Sequence, residues 1–248
     1  MSRWQISIRA NYTRFSLIDS KSDRKSAMSA KTLIDLYFDI ISPYSRIAFE
    51  SLLRYENYWP IKVNLIPFFL GGILKESGNK PPITVAAKVA YMNKDLRRNA
   101  DYWGVNLVPP KDFIETILNR GSLLSQRFLT AIDLQNKSFV EVAARELWER
   151  LWTRNETIHT VDDIRQVAMK ISLPNAEDLI TTSNSTLIKE TLKKRNNMAL
   201  KQGCFGAPWI VVHKGEHEEC FFGSDRMHMI AYMIGCKFDG PHIPQYKI

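Results

Sequence analysis

The sequence predicts an α/β fold in which a βαβ unit and a ββα unit share one sheet, interrupted by a long all-helical insertion. Three observations carry this. Thr32 to Ile41 (TLIDLYFDII) is a nearly continuous apolar run of strand length. From about Val85 the apolar period becomes helical and stays so through residue 201. Trp209 to His213 (WIVVH) and Cys220 to Phe222 then flank a turn at Gly215, the pattern of an antiparallel hairpin.

Each element has a local reason. After the first strand, Ser42 is placed to cap a helix whose first position is Pro43, a residue that presets helical φ and lacks an N–H to satisfy. Ile47, Leu52 and Leu53 give that helix an apolar face through Tyr55, and Lys62 to Phe69 (KVNLIPFF) follows as a second strand. The unit is then a right-handed βαβ crossover. Helices are expected near 85–103, 111–119, 122–135, 138–154, 160–171, 175–182 and 186–201. The clearest is Ser138 to Arg154, where Val140, Ala144, Leu147 and Leu151 form a stripe beside Trp148 and Trp152, a packing face. Ser138 with Glu141 and Thr160 with Asp163 read as capping boxes. Gly223-Ser224-Asp225 leads into a last helix, Arg226 to Ile234. This is the thioredoxin-like layout with a helical domain inserted. Its parts are a basic extension (1–31), a first thioredoxin-like part (32–84), the helical insertion (85–200), and a second thioredoxin-like part with the tail (201–248). Neither strand-rich piece can bury its apolar face alone, so the two must meet in one sheet.

The charge is local. Of a formal net charge of +8, +5 falls in residues 1–31, and the body has no dense basic face with interleaved aromatics, which argues against nucleic acid as a partner. The Arg- and Ser-bearing leader resembles a transit peptide, which favours the mitochondrial matrix over a peroxisomal or cytoplasmic location. The C-terminal Tyr246-Lys247-Ile248 is a poor relative of a peroxisomal signal. No run is long and apolar enough to span a membrane. Cys204, Cys220 and Cys236 form no C-x-x-C, so neither a disulfide framework nor a cysteine zinc site is expected, and the scattered histidines suggest no metal.

In a thioredoxin layout the turn after the first strand is the reactive corner, and here it holds Ser42-Pro43-Tyr44-Ser45 where redox folds carry C-x-x-C. By itself Ser-Pro is an ordinary cap. Three further stretches point to a ligand. Gly206-Ala207-Pro208 lies where a cis-proline loop would expose the Ala207 peptide to a bound peptide. Phe222-Gly223-Ser224-Asp225-Arg226 offers backbone N–H groups to a carboxylate and Asp225 to an ammonium. Ser77-Gly78-Asn79-Lys80-Pro81-Pro82, with Lys88 beyond it, offers an amide and an ammonium to a second carboxylate. Together they suggest a ligand with a peptide middle, an α-amino acid end and a carboxylate end.

The stretches LYFDIISPYSRIAFE, GGILKESGNKPP, GSLLSQRFLTAI, ARELWERLWTRNE and CFGAP…FFGSDRM resemble those of kappa-class glutathione S-transferases, a DsbA-like thioredoxin-fold family, from Leu33 to Pro244. The resemblance implies glutathione as co-substrate, no tightly bound cofactor, a small hydrophobic electrophile as second substrate, and a homodimer. It implies that Ser42 contacts the glutathione thiolate. Tyr44, Asn79, Lys88, the Ala207 backbone, cis-Pro208, Ser224, Asp225 and Arg226 would contact the tripeptide. Two positions depart from the family: Arg46 replaces an aromatic and Ala207 often a leucine. Peroxides are among the expected substrates. Two other readings fit the same layout: a glutathione-dependent isomerase of the 2-hydroxychromene-2-carboxylate type, and a non-catalytic thioredoxin-fold binding or chaperone protein.

Overall fold

A computed structural model describes residues 31–241; the leader and the last seven residues, with the localisation signals read there, lie outside the described residues. Strand β1 (Thr32–Phe38), helix α1 (Pro43–Glu56) and strand β2 (Ile61–Pro67) form the expected βαβ unit, with β1 and β2 parallel. Helices α2 (Leu70–Ser77), α3 (Ala86–Trp103), α4 (Leu123–Gln135), α5 (Val140–Trp152), α6 (Val161–Lys170), α7 (Ala176–Thr182) and α8 (Thr186–Lys201) follow. The chain closes with β3 (Trp209–Lys214), β4 (His217–Phe222) and α9 (Met227–Ile234). The sheet order is β2-β1-β3-β4, with β3 antiparallel to both neighbours, so the two strand-rich pieces do join side by side.

Several boundaries differ from the sequence reading, and five of them have a clear physical reason. Strand β1 stops at Phe38 because the Asp39 side chain accepts the Ile41 N–H at 3.0 Å and its carbonyl accepts the Ser42 N–H at 3.0 Å, turning the chain. Helix α2 was hidden by Gly71-Gly72, which reads as a breaker. The glycines permit close packing instead: a Cβ on Gly72 would stand 2.6 Å from Asn196 Nδ2 of α8. Helix α5 is capped at Phe139, not Ser138, whose hydroxyl donates to Asn136 Oδ1 at 3.0 Å from a preceding 3₁₀ turn. Residues 115–120 wind as a π-helical turn, and β4 starts at His217, which pairs with Lys214 across the Gly215 turn. The Thr160–Asp163 capping box forms as read.

Among the described residues, the larger of two hydrophobic clusters spans sheet and helices. Trp148 of α5 is fully buried with its ring 5.5 Å from Phe38 and 4.9 Å from Phe49, joining the helical segment to β1 and α1. Trp152 donates its indole N–H to the Ile40 carbonyl at 3.0 Å, bracing the turn after β1 directly. Among the described residues no helix is long and apolar enough to cross a membrane.

Behind that turn sits Asp39, fully buried. Its carboxylate accepts N–H groups from Ile41 (3.0 Å), Leu70 (2.8 Å) and the Gln126 side chain (2.9 Å), and so ties the β1–α1 turn to the starts of α2 and α4. Burial pushes its pKa up, against those hydrogen bonds. Asp39→Ala leaves three buried donors without an acceptor and should lower the unfolding free energy by about 3 kcal/mol or more in a urea titration. The folded protein also holds the Asp39 proton more tightly than the unfolded chain does. Stability from this group is therefore full at low pH and is lost as pH rises from the ordinary carboxylate range through the raised folded value. Asp39→Asn should remove that slope; a profile parallel to the parent protein would contradict the assignment.

Candidate active site

Two segments 165 residues apart meet at the end of β1. The first is the start of α1. Ser42 has extended backbone angles (φ −92°, ψ 113°), Pro43 takes the first helical position, and the Ser42 side-chain oxygen accepts the Ser45 N–H at 3.1 Å. The second is the turn before β3, where the Ala207–Pro208 peptide is cis. The Ser42 hydroxyl donates to the Ala207 carbonyl at 3.4 Å, long for an O–H donor. The oxygen of Ser42 is thus committed to the cap, while its proton rests on a weak partner and can turn to a stronger acceptor. Ser42 is 6% exposed, at the edge of solvent.

The remaining residues stand around this pair to differing degrees. The 3₁₀ turn Ser224–Arg226 packs against α1, with Ser224 buried and Asp225 and Arg226 exposed and paired at 3.1 Å. Gly223 precedes it at φ 100°, where a Cβ would stand 2.5 Å from Asp225 Oδ1, so glycine lets the Asp225 carboxylate fold back over the turn. Asn79 follows α2; its amide donates to the Phe205 carbonyl at 2.8 Å, which links its loop to the segment before the cis peptide. Lys88 is exposed in the first turn of α3, and no hydrogen bond or ion pair joins it to the others among the described residues. The Tyr44 hydroxyl donates to Asp95 Oδ2 of α3 at 2.8 Å. Burial first, then the Asp95 carboxylate, pushes the Tyr44 hydroxyl well up, so it stays protonated.

Two groups went unread in the sequence, Asp95 and Asp39, and a third, Arg46, was read only as a departure from the family pattern. Asp95 holds Tyr44 and, at 3.5 Å, Tyr91, but nothing in a helical stretch rich in charges singles it out. Asp39 did leave a signal, an acid inside an apolar run, which is costly unless its partners are built in. Arg46 is not solvated as its charge suggests. It is 5% exposed, donates to the Asn106 carbonyl at 2.9 Å and Thr153 Oγ1 at 3.3 Å, and pairs with Glu149 of α5. It therefore fastens α1 to the helical segment.

Burial pushes the pKa of each of the chain's cysteine thiols up, which disfavours the thiolate. Cys204 is buried, donates to the Gly206 carbonyl at 3.2 Å, and is pushed up to about 12 by burial. Burial also raises Cys220 and Cys236. Among the described residues no group of three His, Cys, Asp or Glu side chains is arranged to hold a metal ion.

Comparison with known proteins gives this geometry a family. Residues 33–235 match the model of the DSBA-like thioredoxin domain. The chain is 39% identical to glutathione S-transferase kappa 1 of Homo sapiens, over 85% of this chain and 94% of that protein. It is also 39% identical to glutathione S-transferase kappa 1 of Caenorhabditis elegans, over 81% of this chain and 90% of that one. Among solved structures, a 2-hydroxychromene-2-carboxylate isomerase superposes with a TM-score of 0.67 at 20% identity, over 82% of this chain and 94% of the other, a likeness of fold. The chain belongs to the kappa class of glutathione S-transferases, within the DsbA-like thioredoxin family.

Proposed function

We propose that the protein binds glutathione at the Ser42–Ala207 corner and stabilises its thiolate for attack on small hydrophobic electrophiles, peroxides among them. The observation that carries this is the state of Ser42: its oxygen is fixed by the Ser45 N–H and its proton is held only by a 3.4 Å contact. A thiolate placed there takes the proton as a hydrogen bond. No base is needed, because Ser42 donates and is not the nucleophile.

The energies suffice. A free thiol of pKa about 8.5 is a few per cent ionised at neutral pH. The terminus of α1 favours an anion by about 0.3–1 kcal/mol, and a hydroxyl bond to a charged acceptor adds about 1.5–3 kcal/mol. Together, about 2–4 kcal/mol multiplies the ionised-to-neutral ratio roughly twentyfold to nearly a thousandfold. The bound thiol is then ionised to between about a third and almost all of its population. The cis Ala207–Pro208 turn would pair its backbone with the middle of the tripeptide, as an added strand does. Ser224 and Asp225 would take the α-amino acid end, Asn79 and Lys88 the other carboxylate, with Tyr44 and Arg226 as walls of the cleft.

Ser42→Ala should lower kcat/KM for a chloronitrobenzene by about 10²-fold, change the glutathione KM little, and move the pH–rate profile to higher pH. Unchanged turnover would remove Ser42 from the mechanism. Ala207→Leu should leave kcat/KM within about twofold, since only the backbone at 207 is used; a tenfold loss, about 1.4 kcal/mol, would place its side chain in the cleft.

The likeness of fold to the isomerase motivates a second assay, in which glutathione is a cofactor and is not consumed. Conjugate formation against isomerisation of a chromene carboxylate separates the two activities. No binding of glutathione at millimolar concentration would instead leave a non-catalytic binding protein. A homodimer and import into mitochondria belong to the same proposal. N-terminal sequencing of the mature protein should find residues 1–31 removed, and an intact Met1 would oppose import.

A further inference from the structure

A groove of about 340 Å³ opens between α2, α4 and α8, within the size range of about 300–1,000 Å³ typical of small-molecule sites. None of the residues assigned above to glutathione lines it. Its floor is apolar, made by Phe69 at the start of α2 and by Leu192 and Leu200 of α8, with Leu123 of α4 at the wall. The floor is rigid: the Asn196 side chain of α8 accepts the Phe69 N–H at 2.9 Å and donates to its carbonyl at 2.8 Å, which locks α2 against α8.

The rim is cationic. Lys189 and Lys193 stand one turn apart on α8, and Arg127 faces them from α4. Among the described residues none of the three makes an ion pair. Arg127 donates one terminal N–H to Asn184 Oδ1 at 3.3 Å, while its Nε is buried without any protein acceptor. A buried guanidinium N–H left unpaired is costly, and an anion at the rim would offset part of that cost through its charge. Glu76, the one acid on the lining, leaves an excess of two positive charges.

We propose that this groove is a second ligand site, separate from the glutathione corner, for an amphipathic organic anion: an alkyl or aryl body ending in a single carboxylate or sulfonate. The apolar floor takes the body and the Arg127, Lys189 and Lys193 rim takes the charge. An inorganic anion lacks the body, and a neutral alcohol lacks the charge.

Isothermal titration of dodecanoate into the full chain, with the glutathione corner saturated by S-hexylglutathione, tests this. One saturable event per chain is expected, weakening as salt is raised. Lys189→Glu/Lys193→Glu should weaken it at least tenfold, about 1.4 kcal/mol, and Arg127→Gln should weaken it as well. Lys194→Glu/Lys201→Glu, the same charge change at α8 residues outside the groove, should stay within about twofold. Dodecanol and inorganic phosphate should not bind. Equal losses in the two double variants would reduce the effect to overall charge and overturn the site. So would dodecanol binding as tightly as dodecanoate, displacement by S-hexylglutathione, or the absence of saturable binding.

Discussion

The corner at Ser42 depends on a carboxylate that is fully buried behind it. Removing Asp39 from water is expensive, and only a full set of donors makes it tolerable. Those donors come from three places that the fold must bring together: the turn after β1, the first residue of α2 and the first turn of α4. Satisfying one buried charge therefore fixes where α1 begins, where α2 begins, and how the helical segment seats on the sheet. Ser42 inherits its position from that arrangement, since its N–H is held by the Asp39 carbonyl.

The helical segment then acts as a brace for the corner it interrupts. Joining Ser42 to Ala207 closes a loop of 165 residues, and one 3.4 Å hydrogen bond cannot meet the entropy of that closure. The β1–β3 ladder does most of it, with Ile34 opposite Val212 and Tyr37 opposite Trp209. The rest is contributed where α5 meets the other side of the turn, through Trp148 in the aromatic cluster, Trp152 on the Ile40 carbonyl, and Glu149 on Arg46. Arg46 fills a packing position with a charge because Glu149 of α5 neutralises it.

Legibility followed the physics of each feature. The strand–helix–strand start, the hairpin at Gly215 and the helices near 86–103 and 186–201 were readable, because apolar period and capping chemistry are local. Ser42 as a cap and Pro208 at a turn were readable for the same reason. Helix α2 was not, since Gly72 is explained only by Asn196, 124 positions away in a helix that packs on it. Asp95 was not, since its meaning is the Tyr44 hydroxyl it accepts. The Ser138 box failed because residues 137–139 wind as a 3₁₀ turn, which moves the start of α5 past it to Phe139. What a sequence hides here is pairing across elements, and a site assembled from four segments is mostly such pairing.

The serines at the corner and the cysteines elsewhere make one chemical statement. A thiol-exchange fold needs a thiolate near neutral pH, and each of this chain's three cysteine thiols is moved the other way by burial. Cys204 is the telling case: it lies three residues before the cis peptide, close to the corner in sequence, yet its thiol is spent on the Gly206 carbonyl inside the core. The corner itself carries oxygen where exchange enzymes carry sulfur, and an alcohol at a helix terminus does not ionise there. It can only donate. The corner therefore sets a hydrogen-bond donor, Ser42, beside the cis Ala207–Pro208 backbone, and it holds no sulfur of its own with which to exchange.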